Sequence, residues 1–220
     1  MPTLFDRDTD NEAEDRHARV NVAVGIVTEN FDLVMEGKVK VRIPAIDEEV
    51  WARLAGPGGG AGAGFFYVPR VDDEVLLVFA NGDPMDPFIV GGLWNDRDSI
   101  PVSDPVNAQS TRILRTGLSQ GTGHEIEMDD LLQSVTIKTS TSQKITMDPT
   151  TIELTNMAGT TTITLDNTSQ SISIKALKSI SLEAPQISIK GATVEIEGTG
   201  TATLKSSGVC TISGSLVKIN

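Results

Sequence analysis

The chain has one cysteine, two histidines and nine aromatic residues in 220 positions. Each shortage excludes something. A lone Cys210 leaves no internal disulfide and no multi-thiolate metal site within one chain. No stretch approaches the ~20 consecutive apolar residues of a membrane-spanning helix. Positive charge is scarce as well, with 18 Lys and Arg against 30 Asp and Glu, a net charge of −12. Phosphate backbones would repel such a chain, so nucleic acid is not an expected partner. The same balance argues against an electrostatic grip on anionic membranes. The opening residues, MPTLFDRDTDNEAEDRHARV, are acidic where a secretory signal would be basic and then apolar. The expectation is a protein made in the cytosol without a signal peptide.

What is present is unevenly distributed. All nine aromatic residues lie within 1–94, whereas residues 131–220 hold 30 Ser or Thr. The acidity also sits early, with a balance of −10 over 1–100 and −2 over 101–220. Residues 1–19 are polar and read as a flexible arm. Residues 20–95 read as short strands with turn residues between them. The strands are expected at Val22–Val27, Gly37–Ile43, Trp51–Ala55, Phe65–Val68, Glu74–Phe79 and Phe88–Val90. Asn81-Gly82 is a hairpin-turn signal, and so many strands in so few residues predict a small barrel. Residues 96–134 read as a linker followed by transition strands, with alternation at Ile126 and Met128.

From Val135 onward one unit recurs: an apolar residue, one other residue, an apolar residue, then a polar stretch. The pairs are Val135/Ile137, Ile145/Met147, Ile152/Leu154, Ile163/Leu165, Ile172/Ile174, Ile180/Leu182, Ile187/Ile189, Val194/Ile196, Ala202/Leu204, Cys210/Ile212 and Val217/Ile219. A strand places i and i+2 on one face, so each unit reads as a short strand followed by a corner. The stack over 135–220 reads as a β-solenoid. The first residues advance by 10, 7, 11 and 9 up to Ile172, then by steady steps of 7 or 8.

Catalytic signals are weak. The run Gly56-Pro57-Gly58-Gly59-Gly60 through Gly64 lacks the Lys-Ser/Thr and the helix of a phosphate loop, and Phe65-Phe66-Tyr67 follow it instead. The clusters Asp47-Glu48-Glu49 and Asp72-Asp73-Glu74 lack calcium-loop spacing and read as solvated turns. His124 has no second His or Cys near it, and no Ser/His/Asp constellation stands out. Neither an enzyme nor a cofactor is expected.

The barrel segment resembles the phage baseplate assembly protein V family, the central spikes of contractile tails, related to spikes of type VI secretion and phage-tail-like injection systems. The residues that carry the resemblance are Gly37-x-Val39-x-Val41-Arg42-Ile43-Pro44, Trp51-Ala52-Arg53, Pro69-Arg70-Val71-Asp72-Asp73-Glu74-Val75-Leu76, Phe79-x-Asn81-Gly82-Asp83-Pro84, Pro87-x-Ile89-Val90-Gly91 and Leu93-Trp94-Asn95. The resemblance implies an oligonucleotide/oligosaccharide-binding (OB) barrel that seats on baseplate hub proteins, and a needle that pierces the target envelope when the sheath contracts. Only about 35 residues separate Asn95 from Val135, too few for the lysozyme domain of some members. The two histidines lie far from residue 220, so the apical iron of others is not expected.

An eight-residue step is too short for one chain to enclose a core. The fold expected is therefore all-β, with an OB barrel followed by an intertwined triple-stranded β-helix, a homotrimeric needle. The inward set is Val135, Ile137, Ile145, Met147, Ile152, Leu154, Ile163, Leu165, Ile172, Ile174, Ile180, Leu182, Ile187, Ile189, Val194, Ile196, Leu204, Cys210 and Ile212. Val217, Ile219 and Asn220 would meet a separate conical tip protein, as the resemblance implies. Two other classes compete: a receptor-binding fibre and a polysaccharide-active β-helix enzyme. No paired carboxylates of the kind a glycosidase uses stand out to favour the latter.

Overall fold

The computed structural model describes residues 22–34, 36–102, 104–117 and 122–219. The arm expected over 1–19 lies outside them, as does Asn220. The described chain is all-β: no α-helix occurs among these residues, and the two helical turns, Ala80–Gly82 and Asn107–Gln109, are of the 3-10 kind. The chain divides into two units, one up to Leu177 and one from Lys178 onward.

Five strands open the first unit: β1 (Val22–Glu29), β2 (Lys38–Ile43), β3 (Glu48–Leu54), β4 (Glu74–Phe79) and β5 (Pro87–Gly92). They close in the order β1-β2-β3-β5-β4, and the closing contact is a short parallel pairing of Arg53 with Phe88 and Leu54 with Ile89. Closure removes the unpaired edges that would otherwise recruit other strands. The alternation of β2 determines its orientation. Val39, Val41 and Ile43 are fully buried, while Lys38, Lys40 and Arg42 face outward. Val27, Val50, Ala52, Val75, Leu77, Phe79 and Ile89 complete the core. Gly25 also lies on the inward face of β1, where a Cβ would stand 2.8 Å from Leu77 Cδ1. Its missing side chain is what admits Leu77.

Two local expectations met different outcomes. Asn81 and Gly82 both take positive φ, 52° and 74°, in the loop that joins antiparallel β4 and β5, as the hairpin signal requires. Phe65–Val68 forms no strand. The segment belongs to the long β3–β4 connection and is tied by Phe65 N–H donating to the Pro57 carbonyl at 3.1 Å. Phe65, Phe66 and Tyr67 are exposed, so aromatic content suggested a strand where no neighbouring strand exists to pair with it.

Seven further strands form one antiparallel meander: β6 (Thr111–Arg115), β7 (Glu125–Asp129), β8 (Ser134–Lys138), β9 (Lys144–Met147), β10 (Thr151–Thr155), β11 (Thr162–Asp166) and β12 (Ser171–Lys175). The first five apolar pairs of the repeat are thus joined by hairpin turns that reverse the chain, where the sequence suggested solenoid corners. The irregular steps before Ile172 are the lengths of these turns. The connections 139–143 and 156–161 are long, whereas 148–150 and 167–170 are short. Long and short turns lie at opposite ends of the strands, so the step alternates.

The second unit, 178–219, carries the other six pairs and forms no strand ladder within the chain. Backbone N–H and C=O groups in a β-rich segment require partners. Here no strand ladder supplies them within the chain, although Gly208 N–H donates to Ser206 Oγ at 3.1 Å, and Ile180, Leu182, Ile187, Ile189, Val194, Ile196, Leu204 and Ile212 are all exposed.

Candidate functional site

The meander builds an interface residue by residue. In an antiparallel pair, directly opposed residues share a face. Following the pairings across the sheet, one row runs Arg112, Met128, Val135, Met147, Ile152, Leu165, Ile172. A second, parallel to it, runs Leu114, Ile126, Ile137, Ile145, Leu154, Ile163, Ile174. Thirteen of these fourteen positions are apolar, with Arg112 at one end as the exception. The middle row of the opposite face runs Ile113, Glu127, Thr136, Thr146, Glu153, Thr164, Ser173. One face is therefore oily from end to end, and the other is largely hydroxyl and carboxylate.

Much of the apolar face lies open. Leu114, Ile126, Met128, Ile137, Met147, Leu154 and Ile163 are each 37–42% exposed, and Ile172 reaches 71%. A sheet of seven strands spaced ~4.8 Å apart with such a face exceeds the apolar patch an ordinary soluble monomer leaves in water. The ten residues from Val135 to Ile174 expected in an inward set lie together on this face. Leu114, Ile126 and Met128 join them. The i, i+2 spacing of Ile126 and Met128 was a legible signal for two of the three, whereas Leu114 had only Arg112 as its spaced partner. Cys210 is exposed in the single chain, as are Val217 and Ile219.

The turns hold the register. Asp129 Oδ1 accepts the N–H groups of Leu131 and Leu132 at 2.9 and 3.0 Å. Asp166 Oδ1 accepts those of Thr168 and Ser169 at 2.8 and 2.9 Å. Each turn then closes through a glutamine with positive φ, Gln133 at 51° and Gln170 at 52°. Asp148 is held more tightly still. The Thr150 hydroxyl, the N–H groups of Thr150 and Thr151 and the Thr151 hydroxyl all donate to it, holding its carboxyl well below the usual carboxylate range.

A second surface lies beside the barrel. A concavity of about 1530 Å³ is lined by Phe31, Phe65, Phe66, Tyr67, Trp94 and Leu114, among others. Of the eight aromatic residues within the described chain, only Phe79 is buried in the core. The acidic clusters are occupied locally. Glu49 pairs with Lys40 at 3.2 Å and Asp73 with Arg70 at 3.3 Å, and Glu74 accepts from Asn95 Nδ2 at 2.6 Å. Among the described residues no group of three or more His, Cys, Asp or Glu is placed to hold a metal.

Two family models match the chain, one over the barrel and one over most of the meander. Residues 23–94 match the type VI secretion system/phage-baseplate injector OB domain. Residues 116–178, which include β7–β12 of the meander, match the phage baseplate V C-terminal trimerisation domain. The chain belongs to the phage baseplate V and spike family. It is 34% identical over 102 residues, 43% of its length, to the type VI secretion system spike protein VgrG3 of Vibrio cholerae, covering 10% of that protein. It is 30% identical over 118 residues, half of its length, to the spike protein VgrG5 of Pseudomonas aeruginosa, covering 15% of it. It is also 31% identical over 102 residues, 43% of its length, to the actin cross-linking toxin VgrG1 of Vibrio cholerae, covering 9% of it. The chain thus spans 15% or less of the length of these relatives. The matched domains and relatives are those of phage baseplates and of type VI secretion spikes.

Proposed function

We propose that the chain is the central spike of a contractile tail or tail-like injection particle, a homotrimer that seats on the baseplate hub and breaches the target envelope when the sheath contracts. The observation that carries this reading is the thirteen-residue apolar face left open across β6–β12. Three such faces turned inward around one axis cover one another, and their polar faces remain in water. The repeats of 178–219 fit the same arrangement. Their strands would find ladder partners in the two other copies, forming an intertwined needle on the axis. Burial shared among copies makes folding of this part inseparable from assembly.

Under load the design is economical. A needle without loops or appended domains over 178–219 presents only short turns to the envelope, and its ladders run between chains that cannot slide independently. The exposed aromatic concavity beside the barrel suits the hub proteins, because aromatics are enriched at the cores of protein interfaces. Val217 and Ile219, with Asn220, would seat a conical tip protein. The role is mechanical rather than catalytic. Preparations from cells that supply either the wild-type chain or Leu154→Asp, which should not trimerise, test it. Only the wild type should breach target envelopes, and equal breaching by both would contradict the reading.

A further inference from the structure

The two long margins of the meander carry opposite charge. At one margin the strand ends align as Arg115, Glu125, Lys138, Lys144, Thr155, Thr162, Lys175. At the other they align as Thr111, Asp129, Ser134 and then Thr151, Asp166, Ser171, with Asp148 in the turn that leads into Thr151. Arg115 and Glu125 are paired with each other. Lys138, Lys144 and Lys175 are exposed, and among the described residues no ion pair joins them to any carboxylate of their own chain. Asp129, Asp148 and Asp166 likewise form none.

Turn capping alone does not explain the segregation. The basic margin has turns that need the same caps, and neutral side chains provide them. Thr139 Oγ1 accepts the Gln143 N–H at 3.1 Å, and Asn156 Oδ1 accepts those of Thr160 and Thr161 at 2.9 and 3.1 Å. Three aspartates on one margin and three lysines on the other therefore make each sheet a strip with one acidic and one basic side. Around a three-fold axis, the basic side of each sheet meets the acidic side of the next.

We propose that a second copy of this chain docks along this margin, with Lys144 paired to Asp148 of the partner subunit and Lys175 to Asp166 of the partner subunit. The inference rests on the trimeric reading and adds to it which margins meet. Lys144 and Asp148 belong to the same strand level, so a symmetric assembly brings them to one height. Lys175 and Asp166 differ by one strand, ~4.8 Å. The turn bonds hold each carboxylate in place before assembly, which lowers the ordering cost of the bridge. Cyclic charge matching also opposes a sheet packed upside down, which would set lysines against lysines.

A double-mutant cycle decides it. Within one chain Lys144 and Asp148 stand at opposite ends of β9, roughly 13 Å apart along the strand, so any coupling between them must act between copies. Lys144→Gln and Asp148→Asn, which keeps an acceptor for the turn, should each speed trimer dissociation in urea by on the order of tenfold, since three equivalent exposed bridges are lost together. The double variant should dissociate at about the rate of the singles, and 1 M salt should erase the differences. Independent multiplicative effects in a protein that is still trimeric would overturn the margin pairing and leave the spike reading standing. A wild-type monomer would overturn both. If Asp148→Asn lost the sheet by circular dichroism, Lys175→Gln with Asp166→Asn carries the same test.

Discussion

Leu154 of β10 and Ile163 of β11 stand directly opposite each other, and in the single chain each remains about two-fifths exposed, at 40% and 38%. A cross-strand aliphatic pair in the middle of a sheet ordinarily sits against a core. In the proposed trimer the core comes from the other copies, and the energetic consequences of that can be measured.

Leu154→Ala should destabilise the assembled protein by about 2–5 kcal/mol per copy, the cost of emptying a buried leucine site. If the face were solvated in the working protein, the same change would cost well under about 1 kcal/mol. Urea unfolding, followed at fixed protein concentration, separates the two.

The repeats over 178–219 should gain their ladders only on assembly. Hydrogen exchange of the trimer should show protected amides through Ile180–Ile212. In a Leu154→Asp variant that cannot assemble, those amides should exchange rapidly while Val39 and Val41 in the barrel remain protected. Protection of 178–219 in that monomer would contradict the account.

The barrel should respond to its own contacts and not to assembly. Gly25→Val places branched carbon where a Cβ already meets Leu77 Cδ1 at 2.8 Å, and overpacking of this kind costs about 1–3 kcal/mol. Adding Leu77→Ala should recover part of the loss, read as the barrel's thermal midpoint.

How much of this was legible beforehand differs between the two periodicities involved. The i, i+2 spacing of pairs such as Ile163/Leu165 states which residues share a face, and the rows of the sheet contain those residues. Spacing does not state whether the chain turns a corner or reverses. That depends on turns such as Asp148-Pro149-Thr150, where a carboxylate gathers the following N–H groups into a tight reversal. Phe65-Phe66-Tyr67 misled for the opposite reason: composition favoured a strand, but the barrel closes without it. The charge segregation of the margins was invisible in sequence order, because Lys138, Lys144 and Lys175 align only after four reversals.

Acid should weaken the sheet through the turn carboxylates. The folded form of Asp148 is held below the ordinary value of 3.8 by the Thr150 hydroxyl and the neighbouring donors. Asp166 is lowered by the Ser169 N–H against an opposing contribution from burial, with the Ser169 hydroxyl and the Thr168 N–H assisting. A depressed folded pKa gives stability that is present above the unfolded pKa and lost as pH falls through the folded one. Stability should therefore decline below about pH 4, and Asp148→Asn should make that decline shallower. An unchanged acid slope in the variant would remove Asp148 from the account.

The central claim is that the open apolar face is closed by two further copies. Sedimentation equilibrium of the full chain measures this directly. Three copies of a 23.4 kDa chain give a particle of about 70 kDa that persists on dilution. A species at the mass of one chain, with the β6–β12 face still in water, would contradict it.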